Sequence, residues 1–329
     1  MIQDIFDRVV LDLTDQDPSS KRIIHLGVST LLDKTKFVLI PSSTDLRTIS
    51  FIDGGNAPIL TTPIHHCHLC RVASVTFIGK TRKDGRRTTF CLLARAGEDT
   101  IHIKAYGMHL DLPEISLHDN ELRMGKHAVS PPTALALARG IAERSFAATL
   151  APTLKPGSII VLDGNLAPGT HPALKETLNN LIALCKTYNH TLIACSKTTT
   201  AITDAGESAP CALQRLALPG ILSFPLEAEE GIYRTFARLH PLSRYWFLLE
   251  SPRPIELSTM SHLAMASSDM AFPGYPYGLI VADQLARVSN QEQATASLIL
   301  TSKAYTKDRS VSHAISGSNA HEILDQMQY

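Results

Sequence analysis

The sequence predicts an α/β fold, a mixed sheet flanked by helices, from three observations. Three apolar runs each finish on a polar or charged residue: Ile49–Asp53 before Gly54-Gly55, Ser158–Asp163 before Gly164, and Leu192–Lys197. Short apolar runs bounded by turn residues read as buried strands. Segments with helical spacing and helix-starting residues lie between the later runs, and two long strand-like stretches, 65–79 and 87–105, lie between the first and second.

In chain order, residues 2–13 place Ile5, Phe6, Val9, Val10 and Leu13 at helical intervals and predict an amphipathic helix. Lys36–Pro41 and Thr48–Asp53 read as strands, the second more buried, with Gly54-Gly55-Asn56 as a turn after it. Stretches 65–79 and 87–105 form a hairpin with 80–87 at its tip, where Asp84-Gly85 is a strong turn signal. Ser130 caps the next helix, Pro131 and Pro132 suit its first turn, and Ala134–Leu150 is rich in helix formers. Strand 158–163, a helix from Pro172 to about Tyr188 and strand 191–197 follow. Residues 198–225, with Pro210, Pro219 and Pro225, read as irregular. Strands at 231–239 and 244–250, a helix over 276–290, a strand through Ala296–Leu300 and a final helical stretch complete the chain.

Three antiparallel strands, then helix, strand, helix, strand, is the order of ribonuclease H-like folds, whose chemistry occurs where the first and fourth strands lie adjacent. The expectation is therefore a ribonuclease H-like domain over 46–329 with C-terminal additions, preceded by an N-terminal helical appendage, 1–45, suited to dimer or partner contact.

The 329 residues, 44% hydrophobic, can bury a substantial core. The 31 basic and 31 acidic residues cancel, so any nucleic-acid contact must come from local patches. The N-terminus lacks a basic region followed by an apolar run, and no stretch reaches the roughly eighteen apolar residues of a membrane span; a cytoplasmic protein is expected. Six irregularly spaced cysteines then read as buried thiols. No P-loop pattern is present, so ATP hydrolysis would belong to another protein.

Asp53 and Asp163 end buried runs, where a sheet delivers groups to a site, although Asp-Gly also simply starts turns. Glu143 lies in the helix before strand 158–163, on a face kept bare by Ala136, Gly140 and Ala147, which lets that helix press close to another element. The competing reading pairs Glu143 with Arg139 or Arg144 on a solvated face. Asp283 falls about two turns into the helix that follows Gly274-Tyr275-Pro276-Tyr277; Asp is a poor helix former, and a plain surface role is the alternative. Carboxylates suit Mg²⁺ and Mn²⁺, and two such ions about 4 Å apart activate water and stabilise the leaving oxygen in phosphodiester cleavage. Like charges brought together without a cation would repel. Lys197 would neutralise charge near a scissile phosphate, or simply leave its strand as a charged residue.

His65-His66-Cys67-His68-Leu69-Cys70 invites a zinc reading, but no separated second pair exists, so zinc is not expected. Lys80, Arg82, Lys83, Arg86 and Arg87 concentrate five cations in eight residues and predict contact with DNA phosphates. Arg244 and Glu250 bracket an apolar strand, as end charges or as residues supporting the site.

At these residues the chain resembles the NurA family of nucleases. The matching pieces are Phe51-Ile52-Asp53-Gly54-Gly55, the helix bearing Glu143 before Val161-Leu162-Asp163-Gly164-Asn165-Leu166, Ser196-Lys197-Thr198, and Gly274-Tyr275-Pro276-Tyr277 leading to Asp283. The resemblance implies a Mn²⁺-dependent (or Mg²⁺-dependent) deoxyribonuclease with 5′–3′ exonuclease and single-strand endonuclease activity. It also implies a homodimer and a partnership with HerA, a hexameric DNA-translocating ATPase, in resecting DNA double-strand breaks. Asp53, Glu143 and Asp163 are implied metal ligands, with Lys197 catalytic. Asp283 stands where the family often has a histidine, with His321 as the alternative. Tyr275 and Tyr277 match the motif's tyrosines, to contact DNA or to pack beneath the helix. The rivals are a ribonuclease H-like enzyme acting on RNA or hybrids, and a non-catalytic member that docks onto an ATPase and DNA.

Overall fold

The computed structural model describes residues 2–14, 20–123, 125–166, 171–229 and 231–307. Helix α1 (Ile2–Thr14) precedes the short strands β1 (Arg22–His25), β2 (Val28–Leu31) and β3 (Val38–Leu39). Long strands β4 (Thr48–Thr61), β5 (His65–Ile78), β6 (Thr81–Ala96) and β7 (Thr100–Tyr106) follow, with a short β8 (Ile115–Ser116). An alternating stretch holds α2 (Pro131–Leu150), β9 (Ile159–Asp163), α3 (Pro172–Thr187) and β10 (Thr191–Ser196). Then come β11 (Ile202–Thr203), α4 (Ala209–Leu216), β12 (Leu222–Pro225), β13 (Tyr233–Arg238) and β14 (Phe247–Ser251). Helices α5 (Leu257–Ala266), α6 (Tyr277–Ala286) and α7 (Asn290–Lys307) close the described chain. The fold is α/β, strands flanked by helices, and most of the predicted elements appear in the predicted order, with the exceptions given below.

Two compact units divide the chain: Met1–Arg47 with Val161–Ala167 and Leu192–Tyr277, and Thr48–Ile160 with Pro168–Thr191 and Gly278–Tyr329. In the first unit the strand order runs β3-β12-β13-β14-β10-β9, beside a small β11-β1-β2 sheet. Its core joins Ile23 and Leu32 from the N-terminal strands to Leu213, Phe224, Phe236 and Trp246. On α1, Ile2, Ile5, Phe6, Val9 and Val10 are all exposed. The segment that reads as irregular, 198–225, contains α4 and β12. Pro210 sits in the first turn of α4, where its missing N–H costs nothing, so it starts a helix instead of breaking one.

The second unit is an antiparallel run, β4-β5-β6-β7-β8, with α2 packed across β4 to β7 and α3 packed on α2. Ser130 caps α2 by accepting from the Thr133 N–H at 3.3 Å, and the two prolines occupy the first turn as expected. Leu135, Leu137, Ile141 and Phe146 are buried, so α2 is a core helix.

Four local expectations are corrected. Strand β4 does not turn after Asp53; it continues through Gly54-Gly55 to Thr61, with Asp53 opposite Ala73 and Gly54 opposite Val72. The β5–β6 turn lies at Gly79-Lys80, with Gly79 at φ 57°, because pairing continues to Ile78↔Thr81. Asp84 and Gly85 therefore lie within β6, opposite Thr76 and Val75, and the cations of 82–87 lie on a strand end, not a loop tip. The expected strand 87–105 is divided into β6 and β7 around Gly97, whose N–H donates to the Thr100 carbonyl at 2.7 Å. Ala296–Leu300 is helical, because Ser289 and Glu292 form a capping box: Glu292 accepts from the Ser289 N–H at 2.9 Å and Ser289 Oγ accepts from the Glu292 N–H at 3.2 Å.

Candidate active site

Asp53 lies mid-strand, and the residue after it explains the Asp-Gly-Gly sequence. A β-carbon on Gly54 would stand 2.2 Å from Glu143 Oε1 and 2.7 Å from its Cδ. One on Gly55 would stand 2.4 Å from the Ala286 carbonyl oxygen at the end of α6. The two glycines are thus close-approach positions for two helices, not turn residues. The Glu143 carboxylate is laid flush on the backbone beside Asp53. Arg139 completes this corner, donating to the Gly54 carbonyl at 3.1 Å and standing 3.5 Å from Glu143 Oε1. Arg144 turns the other way and donates to the Leu174 carbonyl at 2.8 Å, so of the two cations weighed as partners for Glu143, Arg139 is the one beside it. Gly140 serves the α2–α3 contact, where an added β-carbon would meet Leu174 at 3.1 Å.

In the first unit Asp163 ends β9 and both its oxygens are engaged. Lys197 Nζ donates to Oδ2 at 2.7 Å and the Tyr275 hydroxyl donates to Oδ1 at 2.9 Å. Tyr275 is buried against Phe247, with ring centres 5.0 Å apart, and Lys197 Nζ lies 5.6 Å over its ring. The loop after Asp163 turns at Gly164 (φ 92°), which only glycine adopts without strain. Ser196 Oγ donates to the Gly164 carbonyl at 2.8 Å, and the Leu166 N–H donates to Glu250 Oε2 at 2.6 Å. Glu250, 1% exposed, also pairs through Oε1 with buried Arg234 at 2.7 Å. Glu250 thus braces the loop after Asp163 from within its buried strand. Arg234 itself has a sequence signal only in hindsight, as a charge inside the apolar strand Tyr233–Arg238.

Asp283, on α6, pairs with Arg287 one turn on at 2.9 Å. Tyr277 is exposed at the start of that helix. Lys80, Arg82, Lys83, Arg86 and Arg87 are all exposed, with Arg86 held by Asp84 at 2.9 Å. In the His65–Cys70 segment the His68 and Asn56 side chains hydrogen-bond at 2.9 Å. Cys67 and Cys91 interact, which holds the Cys91 thiol below its ordinary value and raises that of Cys67. All six cysteines are free thiols, though Cys211 is exposed and Cys91 half-buried, contrary to the expectation that all are buried. His321 lies outside the described residues. Among the described residues, no helix is long and apolar enough to cross a membrane, and no three His, Cys, Asp or Glu side chains gather to hold a metal.

No protein-family model and no curated protein matches the sequence. Among solved structures, the NurA nuclease from Sulfolobus solfataricus superposes with a TM-score of 0.57 at 11% identity, over 93% of this chain and 95% of that one. The fold is similar to that of NurA. Thus the resemblance carried by the motifs extends to the architecture over nearly the whole chain. The catalytic domain of human endonuclease V (TM-score 0.42, 14% identity, 81% of this chain and 93% of that one) and Ciona intestinalis endonuclease V (0.43, 12%, 80% and 92%) are more distant.

The donor set beside Gly54 consists of carboxylate oxygens, the chemistry of a Mg²⁺ or Mn²⁺ ligand. Mg²⁺ is commonly held by one or two carboxylates, with waters and substrate phosphates completing its shell, so Asp53 and Glu143 are of the residue type such an ion takes.

Proposed function

We propose that this chain is a divalent-metal-dependent nuclease that hydrolyses phosphodiester bonds in DNA, as the resemblance to NurA implies. The observation that carries the reading is Glu143 pressed onto Gly54 next to Asp53, within a fold like that of NurA. A helix carboxylate brought against the glycine that follows a strand carboxylate concentrates negative charge, which Arg139 offsets in part and a bound cation would offset further.

In this reading Asp53 and Glu143 would hold Mn²⁺ or Mg²⁺ and Arg139 would orient Glu143, while the resemblance to NurA implies Asp163 and Asp283 as further ligands. Bound ions would supply Lewis acidity for phosphodiester hydrolysis. Lys197, already against Asp163, neutralises charge that develops on phosphate, and Tyr275 fixes the Asp163 carboxylate. The exposed cations Lys80, Arg82, Lys83 and Arg87, with Arg86, would contact DNA phosphates, and the exposed Tyr277 would touch substrate. The same resemblance gives the biological setting: resection of broken DNA ends by a homodimer working with a HerA-type ATPase. The exposed apolar stripe of α1 is suited to such protein contacts.

A substrate panel tests this. Purified protein is incubated with single- and double-stranded DNA, RNA and RNA–DNA hybrid, in Mn²⁺ or EDTA. DNA cleavage that requires Mn²⁺ and falls in Asp53→Ala and Asp163→Ala variants is expected. Cleavage of RNA or hybrid but not DNA would replace the substrate assignment, and equal cleavage by wild type and both variants would remove the catalytic one.

A further inference from the structure

A groove of about 650 Å³ opens in the first unit directly beside Lys197. That volume lies in the usual range for small-ligand sites. The segment Arg244-Tyr245-Trp246-Phe247 lines it together with Lys197, Thr198, Gln214 and Arg215. Two of its features point to a polyanion with flat rings. The first is charge: Lys197, Arg215 and Arg244 line it, and although Lys197 is paired with Asp163 and Arg215 with Glu207, the lining itself carries no acidic side chain. Arg215 is held by Glu207 at 2.7 Å, which fixes the guanidinium at the rim, whereas Arg244 is exposed. The second is the aromatic wall. Phe272 stacks on one face of Tyr245, with ring centres 5.4 Å apart and planes at 16°, yet Tyr245 is 57% exposed. Phe247 stands tilted beside the same ring, with centres 6.4 Å apart, so the ring is braced by two neighbours while more than half of the residue stays open to solvent. Trp246 is locked beneath by a hydrogen bond from its indole N–H to Gln214 Oε1 at 3.0 Å and by Arg238 over its ring at 5.5 Å.

We propose that this groove seats an unpaired stretch of the nucleic-acid strand, one base stacked on the exposed part of the Tyr245 ring and its phosphates against Arg244, the strand leading to Lys197. The proposal rests on the nuclease reading for its biological sense, but its binding claim is separable. A base in a duplex has both faces covered by its stacked neighbours, so a braced exposed tyrosine favours single strands. Arg244 adds a sequence-independent ionic contribution.

Binding is measured in EDTA, where metal-dependent cleavage is silent, by fluorescence anisotropy of a labelled oligothymidylate and of the matching duplex. Single-strand preference is expected. Tyr245→Ala weakens single-strand binding roughly tenfold, within the range of one base–aromatic stack, and Tyr245→Phe retains it. Arg244→Ala lowers the slope of log K against log salt by about 0.7, while Tyr245→Ala leaves that slope unchanged. Thermal melts confirm that the variants fold. Wild type that binds no single strand, or variants that bind as wild type does, overturns the groove assignment. Cleavage in Mn²⁺ is read separately. Cleavage by wild type with Tyr245→Ala affinity unchanged sinks the groove and leaves the nuclease reading standing. Tyr245-dependent binding by a protein that never cleaves does the reverse.

Discussion

Glu143 occupies the space that a β-carbon on Gly54 would need, with its Oε1 only 2.2 Å from that point. The neighbour of Asp53 must therefore be glycine if Glu143 is to keep its place. Gly54→Ala is expected to destabilise the protein by about 1–3 kcal/mol through overpacking. It should also cut cleavage on the order of a hundredfold, since displacing a positioned group by about an ångström costs that much. In a Glu143→Ala background most of the stability penalty disappears, because the clashing atoms are gone; thermal melts of the four-protein cycle read this coupling. Additive penalties would show that Gly54 serves another contact.

Arg234 and Glu250 are buried together, with side chains 5% and 1% exposed, and Glu250 also accepts from the Leu166 N–H three residues beyond Asp163. Glu250→Gln leaves Arg234 without its closer counter-charge, Glu229 standing farther off at 3.3 Å. A loss of about 3–5 kcal/mol is expected by denaturant unfolding. Glu207→Gln, whose partner Arg215 is 37% exposed, is expected to cost about 1 kcal/mol. Equal effects would mean that burial does not set the worth of these pairs.

Glu292 ties the start of α7 to the sheet. The Arg71 guanidinium, then the Ser289 N–H and hydroxyl, bring its carboxyl down from 4.5 to about 2. A depressed acid stabilises the folded state above its unfolded pKa, and that contribution fades as pH falls through the folded one. Wild-type stability is therefore expected to drop between about 4.5 and about 2, and Glu292→Gln to flatten that stretch of the melting-temperature profile. Superimposable acid limbs for the two proteins would show that the pair contributes nothing.

Local chemistry was read well from sequence where it acts locally. Ser130 with two prolines does start α2, and the apolar runs ending at Asp163 and Ser196 are β9 and β10. The failures share one cause. Glycine in a turn and glycine beneath a helix look alike in sequence, so Gly54-Gly55 read as a turn, whereas α2 and α6, remote in sequence, are what require them. Asp84-Gly85 misled for the related reason that pairing partners decide where a hairpin turns, and β5 stays paired to Ile78. Lys197 was legible as a charge leaving a strand, but its seat on Asp163 and over Tyr275 was not, because those contacts depend on the tertiary fold.

The rate of DNA cleavage as a function of Mn²⁺, for wild type beside Asp53→Ala and Glu143→Ala, tests the catalytic assignment most directly. Wild-type cleavage should saturate with Mn²⁺ and vanish in EDTA, and each variant should lose at least about a hundredfold, as removal of a transition-state-stabilising group does. Metal-independent cleavage, or variants as fast as wild type, would contradict it.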